Sequence, residues 1–107
     1  MQEITPKEAF QQITEGKAYG IDVRELDEWT AGHAANVTWN PMSSFDETTL
    51  PTDKPLIMIC RSGNRSGQVV QKLIDSRSDL FNMVGGMKTW ATDGLEILND
   101  SGNPEII

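Results

Sequence analysis

The sequence is poor in cysteine, in histidine and in positive charge. Cys60 is the only cysteine, so the chain forms no internal disulfide, which fits a reducing compartment. His33 is the only histidine and no second ligand stands beside it, so no metal site is expected. Nine Lys and Arg residues against sixteen Asp and Glu residues give a net charge of -7. This balance argues against nucleic acid or an anionic membrane surface as a partner.

Long apolar runs are also missing. The longest, Leu56 to Cys60, is far too short to span a membrane. Residues 1–20 hold no basic segment followed by an apolar one, so no signal peptide is visible and a cytoplasmic location is expected. The length suits a single domain over residues 1–107, and the 37% apolar content supplies a small core. The sequence gives no indication of the oligomeric state.

Helices and strands alternate along the chain. Apolar periodicity and capping residues predict helices over residues 6–15, 25–31, after Gly63-Asn64 and over 87–92. In the second of these, Leu26 and Trp29 are expected to face inward. Short apolar runs predict strands over residues 18–23, 36–40, 56–60 and 81–84, and residues 99–107 are predicted to be a loose tail. This alternation predicts an α/β fold with a mostly parallel central sheet flanked by helices on both faces.

The most informative segment follows the most apolar strand and reads Cys60-Arg61-Ser62-Gly63-Asn64-Arg65-Ser66-Gly67. A helix begins within it, and a helix N-terminus offers unpaired N–H groups and the positive end of a dipole. Glycine and asparagine let the backbone curl so that several amides point at one place. A thiol in such a setting ionises easily, with a pKa lowered from about 8.5 to roughly 3.5–7.5. We therefore predict Cys60 as a nucleophile and the next six residues, Arg61, Ser62, Gly63, Asn64, Arg65 and Ser66, as substrate-binding.

A simpler interpretation is that Cys60 is a buried core residue, since cysteine at a strand end often behaves as a small apolar side chain. The residues that follow it argue otherwise. A core cysteine has no need of Gly, Asn and two Arg in the next five positions, and arginine resists burial without a partner. The reactive interpretation is therefore preferred.

The segment CRSGNRS resembles the active-site loop of the rhodanese family. Two further stretches resemble that family's signatures, the upstream DVRE, EW and GH of residues 22–33 and the downstream GGMKTW of residues 85–90. After Gly32-His33 the family usually continues Ile-Pro-Gly-Ala, whereas this chain has Ala-Ala-Asn-Val. Asn36 is expected to adopt the left-handed conformation that the usual glycine supplies. Trp39 also stands where a smaller residue is common.

The resemblance implies a sulfurtransferase that needs no cofactor. The Cys60 thiolate would attack the outer sulfur of a small anionic donor such as thiosulfate and carry that sulfur as a persulfide. A thiol, cyanide or a protein would then accept it. The loop amides from Arg61 to Ser66 would hold the negative terminal sulfur, while Arg65 would orient the donor and Arg61 would steer it.

Two other functions compete with this interpretation. A cysteine phosphatase or arsenate reductase uses a similar thiolate, but its loop follows Cys-x5-Arg, whereas Cys60 and Arg65 are spaced Cys-x4-Arg. A non-catalytic rhodanese-like module would only bind partners, but such modules typically lack the cysteine.

Four residues outside the loop have a structural interpretation by default. Asp22 and Arg24 are expected to form an ion pair or a cap, Glu28 a hydrogen bond near the helix surface, and His33 a turn hydrogen bond. Trp90 is expected to be a packing residue.

Overall fold

A computed structural model describes all 107 residues and contains one five-stranded sheet. Its strands are β1 (Glu3–Ile4), β2 (Tyr19–Asp22), β3 (Val37–Trp39), β4 (Leu56–Ile59) and β5 (Leu80–Met83). They lie in the order β1-β5-β4-β2-β3, and every neighbouring pair is parallel. The helices are α1 (Pro6–Thr14), α2 (Leu26–Ala31), α3 (Asn64–Leu73) and α4 (Gly86–Thr92). The predicted α/β class is confirmed.

The central strand β4 divides the core between the two faces of the sheet. Side chains alternate along a strand, so Ile57 and Ile59 point to one face while Leu56, Met58 and Cys60 point to the other. The first face packs with residues of α1 and α4, including Ala9, Met87 and Trp90. The second packs with α3, through Val69, Val70 and Leu73. This alternation places the Cys60 side chain on the same side of the sheet as α3.

Some local predictions were wrong. Leu26 does not face inward, because it is the first residue of the six-residue helix α2 and is 59% exposed. Strand β1 was not predicted at all. It has two residues, too few for an apolar period to be visible in the sequence, and it is defined by its pairing with β5.

Other local predictions agree with the structure. Asn36 adopts the left-handed conformation, with φ of 63°. Thr5 and Glu8 form the capping box at the start of α1. No helix combines the length and the apolar character needed to cross a membrane.

Residues 99–107 form neither helix nor strand, yet the body of the protein holds them at several points. The Asn99 side chain and the Glu105 backbone N–H both donate to the carbonyl oxygen of Ala31, each at 3.0 Å. Ile106 packs against the core on the α1 side of the sheet.

Asp22 and Arg24 form a fully buried ion pair just beyond β2, as predicted. Arg24 Nη2 lies 2.8 Å from Asp22 Oδ2 and also donates to the Gly32 carbonyl at 2.7 Å. The Arg24 backbone N–H donates to Asp22 Oδ1 at 3.0 Å. Because both side chains are unexposed and hydrogen-bonded, the pair fixes the end of β2 to the end of α2.

Removing one member of this pair should destabilise the fold strongly, because the other charge stays buried without a partner. Asp22→Ala is expected to lower the free energy of unfolding by about 3–5 kcal/mol, as measured by urea denaturation. Glu15→Ala is the control, because it breaks the solvent-exposed Lys17–Glu15 pair and should leave the midpoint almost unchanged. A similar, small shift for both variants would contradict the structural role of the buried pair.

Candidate active site

Cys60 directly follows β4 and faces the N-terminus of α3. Its side chain is almost completely buried, with 1% of the residue exposed. Gly63 is the N-cap of α3 and has a φ of 103°, a conformation that glycine adopts without strain. The loop between them therefore turns back on itself within three residues and brings the first amides of α3 over the sulfur.

Two groups of the loop donate hydrogen bonds to the Cys60 sulfur. The Gly63 backbone N–H donates to Sγ at 3.0 Å, and the Ser66 hydroxyl lies 3.3 Å from the same atom. Ser66 is fully buried in the first turn of α3. At the start of α3, one backbone amide and one hydroxyl therefore point at Sγ.

These hydrogen bonds decide the ionisation of the thiol. Burial raises the pKa of Cys60, but hydrogen bonds from the Ser66 hydroxyl and from the N–H groups of Ser66, Gly63 and Ser62 lower it more, so the net pKa lies below the ordinary value. Each of these donors stabilises the negative thiolate over the neutral thiol. Cys60 is therefore a thiolate at a lower pH than an unperturbed cysteine.

Helix α4 supports the loop from the other side. The N–H groups of Met87 and Lys88 donate to the carbonyl oxygens of Cys60 and Arg61, at 2.8 and 2.9 Å. Gly86 allows this approach, since a Cβ atom at that position would lie 2.4 Å from the Arg61 carbonyl carbon and oxygen, and its φ is +60°. The glycine at position 86 therefore lets the start of α4 bind the backbone of the loop that begins at Cys60.

Arg65 is engaged by Glu28 of α2. Its Nη1 and Nη2 donate to the two carboxylate oxygens of Glu28, both at 2.7 Å. The hydrogen bonds from Arg65 are the main reason why the pKa of Glu28 is lowered. Glu28 is in turn the main cause of the raised pKa of Arg65, to which the negative charge of Cys60 contributes less. The mouth of the loop thus carries a neutralised pair in place of a free arginine.

The other predicted loop residues take different positions. Arg61 is turned toward the C-terminal segment, where its Nε donates to the Ile107 carbonyl at 2.9 Å. Ser62 and Asn64 are exposed, and Asn64 begins α3. The structure thus brings the amides and Ser66 to the sulfur, while neither Arg61 nor Asn64 forms a hydrogen bond to it.

The residues considered outside the loop have structural contacts. His33 Nδ1 lies 2.9 Å from the Trp29 carbonyl, and its ring stacks on Trp29 at 3.8 Å between centroids. Trp90 is buried in the core and donates from Nε1 to the Glu96 carbonyl. No three His, Cys, Asp or Glu side chains lie close enough together to hold a metal ion.

Asn82 of β5, which was not among the predicted site residues, supports the loop from behind. Its Nδ2 donates to the Gly63 carbonyl at 3.0 Å, and its Oδ1 accepts from the Ser66 hydroxyl at 2.5 Å. The available signal was a polar residue inside an otherwise apolar strand, because such a residue needs a buried partner.

Comparisons with known proteins agree with this geometry. The sequence profile of the rhodanese-like domain matches residues 5–93. The chain belongs to the rhodanese-like domain family. It is 35% identical to "Uncharacterized protein YqhL" of Bacillus subtilis over 77 residues, which cover 69% of this chain and 61% of the relative. It is 38% identical to "Putative sulfurtransferase YtwF" of the same organism over 74 residues, covering 67% and 72% of the two chains.

A solved rhodanese-related protein of Thermoplasma volcanium has the same fold. It superposes with a TM-score of 0.83 at 28% identity, covering 92% of this chain and 98% of the other. Some curated relatives are longer than this rhodanese-like domain, which spans 61% of YqhL and 58% of a Synechocystis relative.

The contact between Gly86 and the loop can be tested with a matched pair of glycine substitutions. Gly86→Ala should destabilise the protein by about 3 kcal/mol or more, since it adds a backbone clash to the strain of a positive φ. It should also slow alkylation of Cys60 by iodoacetamide at pH 7, because the loop amides are displaced from the sulfur.

Gly94→Ala is the control for backbone strain alone. Gly94 has a φ of +79°, but a Cβ atom there would meet nothing within 4 Å. Its substitution should cost about 1 kcal/mol and leave alkylation unchanged. Equal alkylation rates in the two variants would show that α4 does not hold the loop.

Proposed function

We propose that this rhodanese-like domain is a sulfurtransferase that carries sulfane sulfur as a persulfide on Cys60. It takes the sulfur from a small donor such as thiosulfate and passes it to a thiophilic acceptor. The observation that carries the proposal is the hydrogen bonding of Cys60 Sγ by the Gly63 N–H and the Ser66 hydroxyl at the start of α3. This setting favours a sulfur anion at Sγ.

The reaction has two displacement steps at sulfur. The Cys60 thiolate attacks the outer sulfur of thiosulfate, a new S–S bond forms, and the old S–S bond breaks with its electron pair leaving on sulfite. An acceptor nucleophile such as cyanide then attacks the terminal sulfur, forming thiocyanate and returning the thiolate. Neither step needs a redox partner or a cofactor.

The buried position of Cys60 favours a small group on the sulfur. Only 1% of the residue is exposed, so a bulky substituent on Sγ would meet the surrounding groups sooner than one added sulfur atom would. The terminal sulfur of a persulfide on Cys60 would be negative, and fixed N–H dipoles of the loop would stabilise its charge without rearrangement. We propose that the acceptor in vivo is a thiol, free or on a protein.

Phosphatase chemistry is less well supported, because the loop lacks an available general acid. Asp22 is paired with Arg24 in a buried site, and His33 is bound to the Trp29 carbonyl. A binding-only role is disfavoured by the retained thiol and its lowered pKa. The similarity to "Putative sulfurtransferase YtwF" of Bacillus subtilis also supports sulfur transfer as the activity.

Intact-mass analysis tests the proposed persulfide directly. After incubation with thiosulfate and desalting, the wild-type protein is expected to gain the mass of one sulfur atom, and cyanide or a reductant should remove it. Cys60→Ser should gain nothing, because it lacks the nucleophile. In a cyanolysis assay the wild type should release thiocyanate. A folded wild-type protein that takes up no sulfur from thiosulfate or from a protein persulfide would point to a binding module.

The pairing of Arg65 with Glu28 predicts opposite effects on anionic donors. Arg65→Ala should lower kcat/KM for thiosulfate, because it removes a positive charge and leaves the Glu28 carboxylate unneutralised at the mouth. Glu28→Gln should raise kcat/KM about two- to fivefold, because it frees the Arg65 charge while keeping an acceptor for the Glu25 N–H. Thermal unfolding of both variants provides the control for stability. Equal losses of stability and activity in Arg65→Ala, with no gain in Glu28→Gln, would mark the pair as purely structural.

A further inference from the structure

A chain of hydrogen-bonding side chains lies behind the Cys60 sulfur. Ser66 Oγ is 3.3 Å from Cys60 Sγ and 2.5 Å from Asn82 Oδ1, and Asn82 Nδ2 is 3.0 Å from the Gly63 carbonyl oxygen. Ser66 is fully buried and Asn82 is 6% exposed. Because the contact between Ser66 and Asn82 Oδ1 is buried, water does not readily replace the Ser66 hydroxyl if Asn82 Oδ1 loses it.

The orientation of the Asn82 side chain follows from its partners. The Gly63 carbonyl can only accept a hydrogen bond, so the amide nitrogen of Asn82 must face it. The amide oxygen then faces Ser66 and can only accept. The Ser66 hydroxyl is its donor.

The Ser66 hydroxyl has a single proton, which two acceptors can claim. When Cys60 is a neutral thiol, its S–H can donate to Ser66 Oγ while Ser66 donates to Asn82, so every group is satisfied. When Cys60 loses its proton to water, the thiolate attracts the Ser66 proton, and Asn82 Oδ1 is left buried without a donor. A buried acceptor without a donor is unfavourable.

We propose that Asn82 is a positioning residue that competes with Cys60 for the Ser66 hydroxyl proton. In the loaded state of the proposed sulfur-transfer function, on which this part of the inference rests, Sγ is bonded to a second sulfur and the negative charge lies on the outer atom. Sγ is then a weak acceptor, and the Ser66 proton returns to Asn82. Asn82 therefore raises the free energy of the free thiolate relative to that of the persulfide. This difference favours sulfur uptake by Cys60.

The charged groups near Cys60 do not exchange hydrogen-bond partners in this way when the thiol ionises. Arg65 of α3 is paired with Glu28 of α2. Asp22 and Arg24, beyond the neighbouring strand β2, are paired with each other. At the loop itself, the Arg61 side chain is bound to the C-terminal segment and Lys88 of α4 is exposed. The uncharged Ser66–Asn82 contact is the interaction that must rearrange when Cys60 ionises.

The pH dependence of Cys60 alkylation by iodoacetamide tests the competition. Asn82→Leu should shift the profile to lower pH, so that alkylation at pH 6 is about three- to tenfold faster than in wild type. In a Ser66→Ala background, Asn82→Leu should cause no further shift. The double variant and Ser66→Ala alone should therefore have the same pH profile of alkylation. If Asn82 acted only by tethering the Gly63 carbonyl, its substitution would shift the profile in both backgrounds, and that result would overturn the proposal.

A measurement on the unmutated side chain covers the case in which Asn82→Leu does not fold. In wild type, the 13C chemical shift of the Asn82 side-chain carbonyl should change with pH, and the midpoint pH should equal that of Cys60 alkylation. In Cys60→Ala the chemical shift should not change over this pH range. A resonance that stays constant through the wild-type titration would overturn the proposal.

The same resonance separates this proposal from the proposed function. After sulfur loading from thiosulfate, confirmed by intact mass, it should return to its low-pH position. If loading occurs and the resonance stays at its high-pH position, the Asn82 proposal fails while sulfur transfer stands. If no sulfur is gained but the resonance titrates with Cys60, sulfur transfer fails and the competition for the Ser66 proton stands.

Discussion

The hydrogen bond from the Gly63 N–H to the Cys60 sulfur depends on two backbone conditions that meet at the end of β4. Alternation along the strand directs Cys60 toward the face covered by α3. The positive φ of Gly63 then reverses the chain, so that α3 starts directly over the sulfur. If either condition failed, the thiol would be an ordinary buried cysteine. The hydrogen bonding of Cys60, and with it the lowered pKa of the thiol, is therefore a property of strand register and loop geometry as much as of the residue itself.

The loop is also held by elements distant in the sequence. Gly86 lets α4 donate two backbone hydrogen bonds to the Cys60 and Arg61 carbonyls, and Asn82 of β5 binds the Gly63 carbonyl. These contacts come from the two elements that follow the loop's own helix. A short loop with several glycine and polar residues would otherwise sample many conformations. Its amides can converge on the sulfur because α4 and β5 satisfy its carbonyl groups.

Features that neighbouring residues determine could be predicted from the sequence, whereas features that depend on distant residues could not. The apolar run before Cys60, the glycines of the loop and the left-handed Asn36 each follow from local chemistry, and the structure agrees with them. The exposed Leu26 was misassigned because a six-residue helix offers too little period to define its inner face. The two-residue strand β1 exists through its pairing with β5, which no local pattern encodes.

The sequence also did not show which side chain would pair with Arg65. That pairing determines which charges are available near Cys60. Arg65 was expected to meet an anionic donor, whereas its guanidinium is bound by both oxygens of Glu28, a residue 37 positions earlier in the chain. In a chain of net charge -7, the sulfur anion is thus stabilised mainly by peptide dipoles and a hydroxyl. Peptide dipoles fixed by the fold need no counter-ion and keep their orientation when the charge at Cys60 changes, whereas the Ser66 hydroxyl can rotate between Cys60 and Asn82. If Cys60 carries sulfur as proposed, neutral donors suit the site, because peptide N–H groups can stabilise the negative charge of the thiolate and that of the persulfide alike.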